Sequence, residues 1–149
     1  MQYSQTNYIL LTGHRKSGTT LIHSLFDGHN ELNVYPVDLS ALYAFYPYWT
    51  HKNLDPTKLK DRFELVIKKS THSFDNTKFS SNSRTYKSRE FLGLFWSLYE
   101  ISDLIQPAAI LDAVATTFCK YMDLDESLPM VIKETSQTVH LSNFKNNLH

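Results

Sequence analysis

Apolar and polar positions follow one another along this chain in a way that predicts strands and helices in turn. Residues 8–12 form a short apolar run, which predicts a parallel strand buried on both faces. Residues 19–27 then place apolar side chains at helical spacing, and Gly28 follows as a stop signal. A strand, a glycine-containing loop and a helix in this order are the opening of an α/β unit.

The same patterns continue through the rest of the chain. Residues 32–35 predict a second strand, with Pro36 and Asp38 just beyond its end. Residues 130–132 predict a third, buried strand that ends at Lys133. Helical spacing predicts further helices over 39–48, 55–67, 89–105, 107–122 and 139–148. The sequence therefore predicts an α/β fold with a parallel sheet and a helix-rich middle.

Three stretches leave their role open. Residues 1–7 are polar and predict a flexible leader, and residues 73–88 predict an exposed loop, which is either a surface connection or a flap over a site. Residues 39–48 are rich in aromatic side chains, which either pack in the core or line a pocket.

The loop between the first strand and the first helix has the composition of a phosphate cradle. Gly13 and Gly18 enclose four residues, the spacing of a Walker A loop, in which backbone N–H groups and the following helix dipole bind an anion. A nucleoside triphosphatase needs a lysine after the second glycine, but Thr19 stands there and Lys16 lies inside the loop. The loop keeps a cation without the usual magnesium-holding arrangement.

Composition narrows the possible partners. The chain has 149 residues, enough for one domain with a core, and its 15 basic and 15 acidic residues cancel. No global charge attracts nucleic acid or an anionic membrane, so anion binding would depend on the loop. Cys119 is alone, which excludes an internal disulfide and predicts a buried thiol. The polar N-terminus is unlike a signal peptide and has no room for a membrane anchor and stem, so we expect a cytoplasmic protein.

The loop and its surroundings resemble the sulfotransferases that use 3′-phosphoadenosine 5′-phosphosulfate (PAPS) as sulfuryl donor. Residues 13–21, Gly-His-Arg-Lys-Ser-Gly-Thr-Thr-Leu, look like the 5′-phosphosulfate loop of that family, and residues 26–32 look like its D-x-H-P-E turn. Asp38 follows where tyrosylprotein-type and bacterial members carry a glutamate base. Residues 130–135 are similar to the short family strand that ends in lysine, here Lys133, although the proline that often follows is missing.

The resemblance implies a fold and a set of roles. The fold would be a three-layer parallel sheet of the P-loop nucleotide-binding kind, and the reaction in-line sulfuryl transfer from PAPS, without a metal, to a hydroxyl or amine of a carbohydrate, protein or metabolite. Lys16 would stabilise the leaving oxygen, Asp38 would be the base and Lys133 would contact the sulfuryl oxygens. The expected donor-binding residues are Arg15, Lys16, Ser17, Gly18, Thr19 and Thr20.

Several of these residues have other readings. Asp38 is also suited to be the N-cap of a helix that starts at residue 39, and Arg15 either contacts phosphate or covers the exposed side of the loop. Lys16 could be a solvated loop lysine. His14, His23 and His29 have spacings that match no common metal-ligand pattern, which favours structural or surface roles.

Two alternatives to a sulfotransferase stay open: a P-loop kinase or nucleotide hydrolase, and an inactive nucleotide-binding or interaction module. Family members bind the donor 3′-phosphate with an arginine and a serine near a later strand, and no such segment occurs here. The chain therefore looks like the N-terminal portion of a longer sulfotransferase, with half of the nucleotide site elsewhere.

Overall fold

A computed structural model describes residues 7–14, 16–45, 55–71 and 87–135 of the chain. These residues form an α/β fold around a parallel three-stranded sheet, which confirms the predicted class and strand direction. The strands are Tyr8–Leu11 (β1), Asn33–Asp38 (β2) and Met130–Lys133 (β3). The helices are Thr19–Leu25 (α1), Leu42–Phe45 (α2), Pro56–Thr71 (α3), Ser88–Leu98 (α4) and Pro107–Met122 (α5).

The last strand of the sequence is the middle strand of the sheet. The order is β1-β3-β2, and β1 pairs with β3 without irregularity, from Tyr8 opposite Met130 to Leu11 opposite Lys133. Pairing begins already at Asn7, which was assigned to the flexible leader, because its carbonyl oxygen accepts from the Met130 N–H at 2.8 Å. The carboxyl ends of β1 and β3 therefore lie side by side.

The second strand is longer than the sequence predicted and contains an irregularity. Four steps along β2, from Val34 to Asp38, face only two steps along β3, from Val131 to Lys133. Pro36 lies inside this stretch, and proline has no N–H to give to a ladder. The bulged strand continues past Tyr35, so Asp38 is the last residue of β2 and lies opposite Lys133.

The main core lies between the sheet and helices α2 to α5. Met130 and Ile132 point into it from β3, and Tyr35 and Val37 point into it from β2. The Tyr35 ring meets Phe118 of α5 edge-on, with 5.0 Å between centroids. Alternate strand residues, Val131 among them, lie outside this cluster and belong to the opposite face of the sheet.

Aromatic side chains join the helices of this core. Phe63 of α3 lies 4.8 Å from Phe95 and 5.8 Å from Trp96 of α4, measured between ring centroids. Arg62 adds a link between helices because its Nε–H donates to the Ala44 carbonyl oxygen at 2.6 Å. Through these contacts α3, the helix predicted after residue 55, packs in the core.

The opposite face of the sheet carries α1, and it is less covered than the sequence predicted. Thr19 and His23 of α1 are buried, but Leu21 is 68% exposed and Leu25 is 73% exposed. Ile9 of β1 is 42% exposed, so the prediction of a first strand buried on both faces is wrong. The reason is that the described elements pack densely against only one face of β1.

Two predicted helices are shorter in the structure. The helix predicted over 39–48 is described only as Leu42–Phe45, and residues 46–54 lie outside the described ranges. The helix predicted over 89–105 ends at Leu98, because Tyr99 is extended, and a separate 3₁₀ turn follows at Ile101–Leu104. By contrast, α5 has the predicted bounds and begins at Pro107.

Other predictions fall partly or wholly on residues outside the described ranges. They are the leader up to residue 6, residues 73–86 of the exposed loop predicted over 73–88, and the helix over 139–148. Ser88, assigned to the exposed loop, is the first residue of α4. Among the described helices, none combines the length and the apolar character needed to cross a bilayer.

The single cysteine is buried, as predicted. Cys119 lies in α5 with no exposed surface, and its sulfur accepts a hydrogen bond from Asn33 Nδ2 at 3.6 Å. Burial raises the pKa of this thiol to about 11, so it stays protonated at neutral pH. The thiol therefore packs the junction of α5 and β2.

A carboxyl group on α5 lies in an environment that disfavours its charge. Burial raises the pKa of Asp112 from 3.8 to about 6. Burial also raises the pKa of the Tyr8 phenol to about 12, and the charge of Asp112 adds to this effect. The folded protein therefore binds the Asp112 proton more tightly than the unfolded chain does, and its free energy of unfolding falls as pH rises from about 4 to about 6.

Asp112→Asn should therefore stabilise the protein at neutral pH. At pH 7 we expect the free energy of unfolding to rise by about 1 to 2 kcal/mol, a value reduced for the solvent that reaches this partly buried side chain. At pH 4 the variant and the wild type should be equally stable. Urea unfolding at both pH values measures this, with the exposed Asp61→Asn as control. A stabilisation independent of pH would contradict the assignment.

Candidate functional site

The loop after β1 folds tightly around Gly13. A Cβ atom at Gly13 would lie 2.8 Å from Ser17 Oγ and 2.9 Å from Thr19 Cγ2, closer than real Cβ contacts. The Ser17 N–H donates to the His14 carbonyl oxygen at 3.1 Å and closes the turn. A side chain at position 13 would force Ser17 and Thr19 to move, so glycine is favoured there, and the loop lies against the start of α1.

Two residues of the loop have left-handed backbone. Lys16 has φ 65° and Gly18 has φ 84°, a region that glycine adopts without strain and other residues rarely do. Open space surrounds the position of a Cβ at Gly18, so its φ angle is what favours glycine there. Backbone N–H groups in the first turn of a helix have no partner within the helix, and those of α1 begin directly after Gly18.

The predicted donor-binding residues divide by exposure. Lys16, Ser17, Gly18 and Thr20 are exposed, whereas the Thr19 side chain is buried with its methyl group toward Gly13. Arg15 lies outside the described residues. The Thr19 hydroxyl is thus less accessible than expected, and the threonine at the loop surface is Thr20.

The structure brings two predicted catalytic residues and one predicted binding residue together. Lys133 Nζ donates to Thr20 Oγ1 at 3.0 Å and lies 3.9 Å from Asp38 Oδ2. The Lys133 side chain is 12% exposed and that of Asp38 is 27% exposed, so the pair is partly shielded and still open to a ligand. The first turn of α1, the end of β3 and the end of β2 therefore meet at one point.

The carboxylate of Asp38 is held by several donors. Oδ1 accepts from Ser40 Oγ at 3.2 Å and from the Thr135 N–H at 3.3 Å, and Oδ2 accepts from the Thr135 hydroxyl. The alternative that Asp38 is a helix N-cap is wrong, because the next helix begins only at Leu42. Its donors come from the end of β3 and from Ser40, not from the first turn of a helix.

Sequence reasoning did not find Ser40 or Thr135. Along an extended chain side chains alternate, so Thr135 points to the same side as Lys133 and reaches Asp38. This alternation indicates that Thr135 lies on the side of Lys133. Identifying Asp38 as the partner of Thr135 also requires the register of β2 against β3. Ser40, with φ 52°, follows β2 at a turn that no sequence pattern marked.

Glu134 points the other way. It is 1% exposed, its N–H donates to the Leu11 carbonyl oxygen at 2.9 Å, and its Oε2 accepts from the Leu42 N–H at 3.4 Å. These contacts extend the β1–β3 pairing by one residue and tie β3 to α2. Glu134 therefore fixes the backbone between the two site residues Lys133 and Thr135.

His23 ties α1 to the sheet beneath the site. Its Nε2 lies 2.9 Å from the Tyr35 carbonyl oxygen, which can only accept, so Nε2 carries the proton. Burial lowers the pKa of His23, and the positive charge of Lys133 lowers it further. His23 is therefore a neutral structural histidine, as the sequence favoured.

The remaining predicted catalytic residue stands apart from this cluster. Lys16 is exposed on the loop and forms no hydrogen bond or ion pair with any described residue, whereas Lys133 is engaged by Thr20 and Asp38. Among the described residues, the site thus has a free cation, Lys16, on the loop and an engaged cation, Lys133, at the end of β3. The Asp38 carboxylate next to Lys133 can take a proton from a ligand hydroxyl or amine.

Comparisons with known protein families, with characterised proteins and with solved structures find no match to this chain.

The donors around Asp38 predict different costs for two substitutions. In Asp38→Asn the remaining oxygen still accepts, and the amide can donate to the Thr135 hydroxyl, which rotates. In Asp38→Ala the donors of Ser40 and Thr135 lose their acceptor and Lys133 loses its counter-charge. We expect urea unfolding to give a loss of about 1 kcal/mol for Asn and about 2 to 3 kcal/mol for Ala. Equal losses, or a comparable loss in the exposed control Asp27→Ala, would contradict this account.

Proposed function

We propose that the protein is a PAPS-dependent sulfotransferase with a fold of the three-layer P-loop kind. The observation that carries the proposal is the meeting of Thr20, Lys133 and Asp38, with 3.0 Å and 3.9 Å between their polar atoms, beside the glycine loop. In parallel sheets ligands bind beyond the carboxyl ends of the strands, which is where these three residues lie. The type of reaction is proposed from the resemblance of the loop sequence to the sulfotransferase family.

The layered arrangement supports the fold part of this proposal. Helices α2 to α5 pack on one face of the sheet, and α1 contacts Lys133 from the side opposite to Met130 and Ile132. A glycine loop between the first strand and a first helix on the second face is the expected geometry of a P-loop domain. The described sheet has three strands, and the comparison with a P-loop domain applies to those strands.

The proposed reaction is an in-line displacement at sulfur. The acceptor oxygen or nitrogen attacks the sulfur of PAPS, the bond from sulfur to the bridging phosphate oxygen breaks, and adenosine 3′,5′-bisphosphate leaves. The acceptor proton passes to Asp38. Lys16 stabilises the charge that grows on the bridging oxygen, and Lys133 contacts the sulfuryl oxygens. The first-turn N–H groups after Gly18 and the exposed Thr20 hydroxyl bind the 5′-phosphate, and Arg15 and Ser17 are proposed to assist.

A P-loop kinase or nucleotide hydrolase fits the chain less well. Thr19 replaces the lysine that such enzymes place after the second glycine. The sequence Ile110-Leu111-Asp112, which could pass for a magnesium-holding strand, lies within helix α5. An inactive binding module is the second alternative, and the binding and rate measurements below separate it from an enzyme. The acceptor class, cytoplasmic location and absence of nucleic-acid or membrane partners stay proposals.

Nucleotide binding should depend on the 5′-phosphate and not on magnesium. The loop supplies donors for that phosphate, while the described residues offer no counterpart of the family's arginine and serine for the 3′-phosphate. We therefore expect calorimetry to give similar affinities for adenosine 3′,5′-bisphosphate and adenosine 5′-monophosphate, and no heat for adenosine. A clear preference for ATP that requires magnesium would favour the kinase alternative.

Lys16→Ala should lower turnover much more than it weakens donor binding. The charge that Lys16 meets develops mainly as the sulfuryl group leaves, so kcat should fall by about a hundredfold while KM for PAPS changes little. The control is Lys58→Ala on α3, whose side chain is 67% exposed. Formation of adenosine 3′,5′-bisphosphate from PAPS measures both. Unchanged turnover in Lys16→Ala would remove Lys16 from the reaction.

A further inference from the structure

The hydrogen bonds around Asp38 leave only part of its carboxylate open to a ligand. A carboxylate has about four lone-pair sites, two on each oxygen. Among the described residues, Ser40 and the Thr135 N–H occupy both sites on Oδ1, and the Thr135 hydroxyl occupies one site on Oδ2. Lys133 Nζ, at 3.9 Å, is too far from Oδ2 to fill the last site with a hydrogen bond.

We infer that Thr135 is a positioning residue that turns Oδ2 of Asp38 toward the acceptor, so that Oδ2 is the atom that takes the proton. This inference rests on the proposed sulfotransferase function. Thr135 holds the carboxylate at both oxygens, through its N–H and through its hydroxyl, and so fixes the plane of the group. The open site is thus on Oδ2, the oxygen that lies 3.9 Å from Lys133 Nζ.

The backbone that carries Thr135 is well anchored. The Lys133 carbonyl oxygen accepts from the Leu39 N–H at 2.8 Å, and the next residue, Glu134, bonds to Leu11 and Leu42. These bonds join the ends of all three strands at the two residues just before Thr135. A hydroxyl held by such a frame can orient a neighbouring carboxylate with little freedom of its own.

The proposed step balances without a further reactant. As the acceptor hydroxyl attacks sulfur, its O–H bond breaks and the proton bonds to Oδ2, while the electron pair of the cleaved S–O bond stays on the phosphate oxygen. Asp38 ends protonated and releases the proton to solvent, which its 27% exposed side chain permits. Thr135 keeps its own proton throughout, which separates positioning from proton transfer.

The test compares Thr135→Val, which removes the hydroxyl and keeps the shape and the backbone N–H, with Thr135→Ser, which keeps the hydroxyl. The assay follows sulfuryl transfer from PAPS to 4-nitrophenol, tyrosine amide and N-acetylglucosamine as probe acceptors. We expect Val to lower kcat by about tenfold to a hundredfold with KM for PAPS almost unchanged, and Ser to restore most of the rate. The matched control is Thr117→Val. It should keep the wild-type rate, because the Thr117 hydroxyl donates to the Ala113 carbonyl oxygen within α5.

A second measurement tests the contact without activity. If the Thr135 hydroxyl bonds to Asp38, the losses of Tm in Thr135→Val and Asp38→Ala should not add in the double variant. Additive losses, or equal rates in Thr135→Val and wild type, would overturn the inference while leaving the function standing. No transfer to any probe acceptor by the wild type, together with no binding of adenosine 3′,5′-bisphosphate, would overturn the proposed function and this inference with it.

Discussion

The position of β3 between β1 and β2 is the constraint on which the site depends. Because the pairing is parallel, the carboxyl ends of all three strands meet at one edge of the sheet. The regular β1–β3 register sets the glycine loop beside Lys133, and the bulge around Pro36 brings Asp38 opposite the same lysine. A regular β2 with one residue per step would place Asp38 two positions beyond Lys133. The bulge therefore brings the Asp38 carboxylate next to the Lys133 ammonium group.

The polar groups below this edge are arranged to hold it in place. Burial and the positive charge of Lys133 lower the pKa of His23, which therefore stays neutral. Its Nε2–H donates a hydrogen bond to the Tyr35 carbonyl oxygen in the bulged part of β2. Glu134 is buried, but its carboxylate accepts from the Leu42 N–H and its own N–H donates to the Leu11 carbonyl oxygen. Buried polar groups with backbone partners stabilise one arrangement of the chain over others. In this protein they join α1 and α2 to the strand ends.

The sequence predicts the local features of this fold, but it does not predict the contacts between distant segments. The apolar run at 130–132 and the proline at 107 predicted β3 and the start of α5 correctly, because each signal lies within the element. For Asp38 and Lys133 the sequence predicts only that both lie at the same end of the sheet, and not that their side chains form a pair. The contacts of Thr135 with Asp38 depend on a register between segments 97 residues apart, which no local pattern records. The exposed leucines of α1 were misjudged for the same reason: periodicity identifies an apolar face but not what covers it.

The presence of Asp38 bears on whether the site binds or reacts. An anion bound at Lys133 would be repelled by the Asp38 carboxylate, which lies 3.9 Å from the same ammonium group, and this repulsion is stronger in a partly shielded setting than in water. Asp38 thus weakens anion binding at Lys133. Asp38 holds Ser40 and Thr135 in place, and under the proposed function the same carboxylate also takes the proton of the acceptor. A carboxylate beside the cation therefore fits the proposed transfer reaction better than it fits the binding of an anion alone.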